Sequence, residues 1–294
     1  MKTRTGNFPI GFRRGWLPWQ KDNLATLASW TKETGFEHID LGTVTADDAT
    51  TLAAAGLRLG SVDLMNFGKI MQNDAGARKE LIANNVAYVQ QAAKLGAKAI
   101  FTCIIPGDPA KKKAENYALA VESYAPIAQA CAANGVKLAV EGWPGGGPYL
   151  ANLCCTPDTC RSFLKDLGSG CGLNFDPSHL IRLGVDHVRF LREFLPAVVH
   201  VHAKDTELMP EAVYEYGLYQ SSPTAKAHGF GDLVWRYTIP GSGQGRWTEI
   251  FKILSQGAYQ GLVSVELEDE NFNTGTPEGE KAGLSHALAF LRGV

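Results

Sequence analysis

The chain has 294 residues, 45% of them hydrophobic and 20% charged, which is an ordinary globular composition. Its 28 Lys and Arg against 30 Asp and Glu give a formal net charge of −2, which argues against nucleic acid as a partner. No segment reaches the ~18 consecutive apolar residues that a membrane helix needs, and the N-terminal segment lacks the apolar core of a secretion signal. We therefore expect a cytoplasmic protein that binds neither nucleic acid nor a membrane.

Eight short apolar runs predict β-strands, and an amphipathic stretch of helical periodicity follows each of them. In chain order the runs are "FPIGF" (8–12), "EHIDLG" (37–42), "LRLGSVDLM" (57–65), "AKAIFTCII" (97–105), "VKLAVEGW" (136–143), "CGLNFDP" (171–177), "AVVHVHAKD" (197–205) and "GLVSVELED" (261–269). Strict alternation of strand and helix indicates a parallel sheet, and eight units close a (β/α)8 TIM barrel. An open doubly wound sheet is the competing fold, but no glycine-rich phosphate turn follows the first strand. We predict an α/β protein with one barrel domain over residues 1–294.

A long connection, residues 206–245, follows the seventh strand and interrupts this regular order. It is rich in aromatic residues, which argues against disorder, and it lies on the side where barrel enzymes keep their active sites. We expect a lid over a sugar or a contact with a second subunit, in a homo-oligomer (a dimer or a tetramer). Its last residues, "PGSGQG", form either a tight turn or a phosphate cradle, and the tight turn is the favoured interpretation.

Polar side chains converge where the fifth to eighth strands end. Side chains two apart on a strand share a face, and this alternation directs Glu141, Asp176, His202 and Glu266 into the barrel. Carboxylates are costly to bury alone, so three of them beside an imidazole make sense around a divalent cation. His200 is expected deeper, as a hydrogen-bonded core residue.

Five further residues are candidate substrate contacts. His179, three positions after Asp176, is expected on the rim of the site. Lys204 either stabilises an oxyanion, pairs with a neighbouring acid in the sequence (Asp205 or Glu207), or pairs with one of the inward acids near the strand ends. Trp143, Trp235 and Arg236 are expected to line the pocket. The six cysteines contain no C-x-x-C pair, so we expect reduced, structural thiols.

The motifs that carry these residues resemble the xylose-isomerase-like barrel superfamily, in its sugar phosphate isomerase/epimerase branch, over nearly the whole chain. They are "VEGWPG" (140–145), "LNFDPSHL" (173–180), "HVHAKDTE" (200–207), "WRYTIPGSG" (235–243) and "VSVELED" (263–269). The resemblance implies that Glu141, Asp176, His202 and Glu266 bind one divalent metal. It also implies that His179 neighbours the substrate and that the two glutamates form an acid/base pair. Such relatives include ketose 3-epimerases, hydroxypyruvate isomerases, inosose dehydratases and enzymes that act on 3-keto-glycosides.

The expected function is a metal-dependent sugar isomerase or epimerase. Its oxygen-rich ligand set suits Mn²⁺, Mg²⁺ or Co²⁺, with Zn²⁺ as a further option. Glu141 and Glu266 would move a proton at the carbon next to a metal-chelated carbonyl, through an enediolate. A lyase or dehydratase acting on a keto-sugar or 3-keto-glycoside shares that first step and stays open, as does the choice among free, phosphorylated and glycosidic sugars.

Two remote alternatives are an abasic-site endonuclease and a sugar-binding barrel without catalysis. The endonuclease needs several zinc ions, more histidines and a basic groove, whereas this slightly acidic chain has 7 histidines. A binding protein has no need of paired carboxylates.

Overall fold

The computed structural model describes residues 8–146 and 150–294. Eight strands form a closed barrel in the order β1-β10-β7-β6-β5-β4-β3-β2, which confirms the predicted (β/α)8 fold. Every register recorded between neighbouring barrel strands is parallel. The strands are β1 (Ile10–Arg13), β2 (His38–Leu41), β3 (Arg58–Asp63), β4 (Ala99–Cys103), β5 (Lys137–Glu141), β6 (Cys171–Phe175), β7 (Val198–Ala203) and β10 (Val263–Val265). Two further strands, β8 (Asp205–Leu208) and β9 (Trp235–Thr238), pair outside the barrel.

Helices alternate with the strands along the chain. The described residues contain α1 (Pro18–Lys21), α2 (Leu24–Thr34), α3 (Ala46–Ala54), α4 (Ala75–Lys94), α5 (Lys113–Ala133), α6 (Pro157–Leu167), α7 (Pro177–Arg182), α8 (His187–Phe194), α9 (Pro210–Tyr216), α10 (Trp247–Gln256) and α11 (Pro277–Gly293). The first helical pattern of the sequence is divided between α1 and α2, because the Asn23 side chain accepts a hydrogen bond from the Thr26 amide and starts a new helix. Helix α2 then ends on Gly35, whose φ of 96° is the left-handed conformation in which a glycine commonly ends a helix.

Contacts divide the described chain into two compact units. The first holds the residues up to 38 together with 176–196 and 201–294, and the second holds 39–175 and 197–200. In the first unit, β10 pairs with β1 and with the end of β7, and the fully buried side chains include Phe12, Phe251 and Val265. In the second unit, β5 pairs with β4 and β6, and Ile100, Tyr124 and Leu138 are fully buried.

A buried polar layer lines the strands below their carboxyl ends. In the second unit His200 Nε2 lies 2.8 Å from Asp40 Oδ2, and Asp40 Oδ1 accepts the Ser61 amide at 2.9 Å. A Cβ at Gly60 would overlap Asp40 Oδ1, so this glycine makes room for the carboxylate. In the first unit His38 Nε2 lies 2.8 Å from Ser264 Oγ. His200 is thus a buried, hydrogen-bonded residue, as expected.

The long connection after β7 is built on the hairpin of β8 and β9, which pair in antiparallel register from Asp205↔Thr238 to Leu208↔Trp235. Helix α9 lies between the two strands in sequence and carries the most exposed aromatic side chain, Tyr214, at 87%. The connection therefore has an ordered base and an exposed outer helix.

The "PGSGQG" segment is fastened by an internal carboxylate. Asp205 accepts hydrogen bonds from the amides of Gly241 (3.1 Å) and Gly245 (2.7 Å) and from Trp247 Nε1 (3.1 Å). These donors are the groups that a phosphate cradle would offer, and they already bind Asp205. The segment is a turn, in agreement with the favoured interpretation.

All six cysteines are buried free thiols. Burial raises the pKa of Cys131 to about 12 and that of Cys171 to about 12, so both stay protonated and unreactive at neutral pH. Within the described residues, no helix is both long and apolar enough to cross a membrane.

Candidate active site

Four side chains from four consecutive barrel strands meet at one place. Glu141 is the last residue of β5, Asp176 follows β6 directly, His202 lies in β7 and Glu266 follows β10 directly. Each offers one ligand atom, and these atoms all lie within 4.8 Å of one another. Asp40, His200 and His202 form a second group of this kind, but Asp40 and His200 already bind each other at 2.8 Å.

Glu141 belongs to the second unit, where neighbouring strands hold its carboxylate. Asn174 Nδ2 donates to Glu141 Oε2 at 2.5 Å, and the Cys103 thiol donates weakly to Oε1 at 3.9 Å. Glu141 is 3% exposed, so these donors replace the water that an exposed carboxylate would have.

In the first unit, Lys204 is the centre of an acidic cluster. Its ammonium donates to Glu266 Oε2 at 2.6 Å and to Glu268 Oε2 at 2.8 Å, and it lies 3.5 Å from Asp176 Oδ2. Arg13 Nε adds a second cation, 3.4 Å from Glu266 Oε1. Lys204 therefore pairs with two of the inward strand-end acids, Glu266 and Asp176, which is one of the predicted alternatives. Asp205 instead accepts from the Gly241 and Gly245 amides, and Glu207 binds Arg236.

Burial and charge act in opposite directions on this cluster. Burial alone would raise the pKa of Glu266, but Lys204 and His202 outweigh it and hold the pKa well below its ordinary value. Burial likewise opposes the charge of Lys204, yet Glu266, Glu268 and Asp176 hold the pKa of the ammonium well above its ordinary value. Both groups are therefore ionised at neutral pH.

His179 lies next to Asp176 and is buried. It is in the short helix α7, for which Asp176 is the N-cap, with Asp176 Oδ1 accepting the Ser178 amide at 2.8 Å. His179 Nε2 lies 3.4 Å from Asp176 Oδ2, and Nδ1 lies 2.7 Å from the Tyr237 hydroxyl. One residue of β9 thus reaches this histidine.

The remaining candidates divide between the rim and the loops. The Trp235 ring lies against the Tyr237 ring, 4.8 Å between centroids. The Arg182 guanidinium stacks on the Trp235 ring at 4.0 Å. Arg236 instead binds Glu207 at 2.8 Å and Glu270 at 3.1 Å. Trp143 is half-buried, and its carbonyl accepts the Asn152 amide at 3.1 Å. Trp235 thus contacts Tyr237 and Arg182, two residues beside His179.

Sequence reasoning missed three residues of this region, Arg13, Arg182 and Glu268, and took Tyr237 only as one of the aromatic residues of the long connection. Glu268 could have been found, because it lies two positions after Glu266 and alternation gives the two side chains a common face. Tyr237 is two positions after Trp235, but pairing of its strand with β8 was not expected. Arg13 and Arg182 had no comparable signal, since long side chains reach neighbours that strand spacing does not predict.

Comparison with known proteins shows the family of this chain. The family model described as "Xylose isomerase-like TIM barrel" matches residues 7–294. An uncharacterised protein of Bacillus subtilis (strain 168), YfiH, is 31% identical over 144 residues, 48% of this chain and 42% of that protein. An inosose dehydratase of Clostridium botulinum (strain Eklund 17B / Type B) is 32% identical over 98 residues, 33% of this chain and 30% of its own length. The chain thus spans less than half the length of these curated relatives.

Solved structures agree over the whole barrel at low sequence identity. The 3-keto-D-glucoside 4-epimerase YcjR of E. coli has a TM-score of 0.68 at 17% identity, with 97% of this chain and 99% of that one covered. D-psicose 3-epimerase has a TM-score of 0.69 at 18% identity, with coverages of 97% and 98%. Likeness at this level of identity shows the common fold.

Proposed function

The chain belongs to the xylose isomerase-like TIM barrel family, and from that premise we propose that it is a divalent-metal-dependent sugar isomerase or epimerase. One observation carries the proposal: Glu141, Asp176, His202 and Glu266 bring ligand atoms within 4.8 Å of one another. The family's sugar epimerases and its dehydratases make a small sugar the expected substrate class.

The chemistry of the donor set fits a divalent cation. Three carboxylates and one imidazole form an oxygen-rich set of the kind that Mn²⁺, Mg²⁺ or Co²⁺ accepts. These carboxylates and Glu268 carry four negative charges, and Lys204 and Arg13 supply two positive ones. A divalent ion would bring the sum to zero, which a monovalent or trivalent ion would not.

When bound, such an ion supplies Lewis acidity that makes the hydrogen on the carbon next to a sugar carbonyl easier to remove. The chain's own carboxylates then move that proton. Glu141 and Glu266 come from strands β5 and β10, which are not neighbours in the barrel order, so they can act from two sides of one substrate. Return of the proton to the same carbon from the opposite side inverts that carbon, and return to the neighbouring carbon isomerises the sugar.

The surroundings of each glutamate would keep it in its working place. The Asn174 amide orients Glu141, and the Lys204 ammonium orients Glu266. The rings of Trp235 and Tyr237 would cover a sugar face and exclude water from it.

A dehydratase is the second candidate, and the alignment with inosose dehydratases favours it. The same proton is removed from the carbon next to the carbonyl, and the electron pair of that C–H bond then expels hydroxide from the adjacent carbon. Proton and hydroxide leave together as water, so no other reactant is needed. Lys204 is the charged donor nearest to Glu266 that could assist the departing oxygen.

Incubation in heavy water separates these two functions. Metal-free protein, reconstituted with Mn²⁺ or Mg²⁺, is given ketoses and 3-keto-glycosides, and the products are analysed by NMR and mass spectrometry. Deuterium in a product that keeps all its substituents supports the epimerase or isomerase, whereas a product lighter by one water supports the dehydratase. Equal turnover before and after exhaustive chelation would contradict both.

A further inference from the structure

The hydroxyl of Tyr237 connects the barrel rim to the β8–β9 hairpin. Tyr237 is 4% exposed, and its Oη lies 2.7 Å from His179 Nδ1 and 2.8 Å from Arg182 Nη1. His179 and Arg182 are three residues apart in α7, a spacing that places both on one side of a helix. One phenol oxygen therefore contacts both side chains.

The hydrogens at this oxygen can be counted. A guanidinium has donors and no acceptor, so Arg182 donates to Oη. Burial raises the pKa of Tyr237 above its ordinary value, so the phenol keeps its own hydrogen. The acceptor within reach of that hydrogen is His179 Nδ1. A hydrogen on Nδ1 as well would leave the buried phenol hydrogen without a partner, which is unfavourable.

We propose that Tyr237 is a positioning residue that fixes His179 in the tautomer with its hydrogen on Nε2. His179 then offers an N–H donor on the side of Asp176, whose Oδ2 lies 3.4 Å from Nε2. This step rests on the proposed function. A His179 with its hydrogen on Nε2 can donate to a hydroxyl or carbonyl oxygen of the sugar from that nitrogen, and it cannot accept the substrate proton there. The two glutamates are left to accept the proton.

Packing around the ring keeps Tyr237 in one orientation. Its ring meets the His179 ring edge-on, 5.3 Å between centroids and 75° between planes. The Lys204 ammonium lies 4.5 Å from the centroid of the Tyr237 ring, and the Arg182 guanidinium is held on Trp235 at 4.0 Å. The acceptor and the donor of the phenol are thus both anchored, so the direction of the hydrogen bond is determined.

Nitrogen NMR of ¹⁵N-labelled, Mg²⁺-loaded full-length protein reads the tautomer directly, because an imidazole nitrogen without hydrogen differs in shift from one with hydrogen. Comparison with His179→Asn assigns the signals. We expect an unprotonated Nδ1 and a protonated Nε2 in the unaltered protein, and a mixture of tautomers in Tyr237→Phe. Tyr124→Phe is the matched control, since Tyr124 is also fully buried and contacts Thr102 and Cys103; its His179 signals should not move.

A hydrogen on Nδ1 in the unaltered protein would overturn the proposal. An unchanged tautomer in Tyr237→Phe would overturn it equally. On a ketose that the enzyme converts, we expect kcat/KM of Tyr237→Phe to fall at least tenfold while Tyr124→Phe is unchanged. If no sugar is converted at all, the proposed function fails, and the NMR spectrum still decides the tautomer.

Discussion

Strand β7 carries two histidines on one face, two residues apart, and their surroundings differ in kind. His200 binds Asp40 at 2.8 Å in a fully buried layer, where the partner carboxylate is also held by a backbone amide. His202 lies near the end of the strand, 3.5 Å from Glu266, and its ligand atom is within 4.8 Å of those of Asp176 and Glu141. His200 is thus paired with the Asp40 carboxylate, whereas His202 belongs to a cluster in which carboxylates outnumber cations. On this strand the two histidines share a face and differ in their position along it and in their partners.

We expect the largest effect from removing one carboxylate of the cluster around His202. Glu266→Gln keeps the shape and loses the charge and the proton acceptor, so we expect sugar turnover to fall by about 10²- to 10⁴-fold. Rates of deuterium uptake measure this, and circular dichroism checks that the fold is retained. Glu249→Gln, an exposed glutamate of α10, is the matched control. Similar turnover in both variants would remove Glu266 from the chemistry.

We expect the second largest effect from replacing Lys204, the buried cation of this cluster. Lys204→Met leaves Glu266, Glu268 and Asp176 without their shared ammonium, and we expect a loss of about 3–5 kcal/mol of unfolding free energy in the metal-free protein. Because a positive charge is removed from the site, Mn²⁺ affinity should rise at least tenfold and restore part of that stability. Urea unfolding with and without Mn²⁺ measures both quantities. A variant that is less stable and also binds Mn²⁺ more weakly would contradict this account.

A matched pair of substitutions on β7 tests the comparison itself. His200→Leu leaves Asp40 buried without its histidine, so we expect about 2–3 kcal/mol of lost stability and unchanged Mn²⁺ affinity. His202→Leu should do the reverse, with a small stability loss in metal-free protein and weaker Mn²⁺ binding by 100-fold or more. Urea unfolding and calorimetric titration read the two effects. If both variants lost the same property, the two regions would not differ as described.

A third buried histidine, outside both regions, gives the smallest effect and serves as a reference. His187 accepts the Arg246 amide at 3.1 Å, and burial lowers its pKa to about 4. The unfolded chain takes up a proton as the pH falls below about 6.5, while the folded chain stays neutral until about pH 4. Stability is therefore lost between these two values, by about 1–3 kcal/mol. His187→Gln should show a flatter dependence in urea unfolding from pH 7 to 4.5; an identical slope would contradict the assignment.

Much of the fold and of the four-residue site around His202 could be predicted, because the alternation of side chains along a strand depends only on residues close in sequence. It placed Glu141, Asp176, His202 and Glu266 on the inner side near the strand ends, and the closed barrel has the predicted eight strands. It could not decide which acids Lys204 binds. Lys204 reaches Glu266 and Glu268, 62 and 64 residues away, and alternation along one strand does not distinguish such acids from Asp205 or Glu207.

The hairpin after β7 could not be predicted from the sequence for a different reason. Its strands β8 and β9 are short, and the 26 residues between them gave no turn signal of the usual length. Tyr237 therefore read as one aromatic residue of a lid, while the structure places its hydroxyl on His179 and Arg182.

The central claim is that one divalent ion is held by Glu141, Asp176, His202 and Glu266. Calorimetric titration of the metal-free protein with Mn²⁺ tests it most directly. The account predicts saturation at one ion per chain in the unaltered protein, and affinity weaker by at least 100-fold in Asp176→Asn. Absence of saturable binding, or equal affinity in the two proteins, would contradict it.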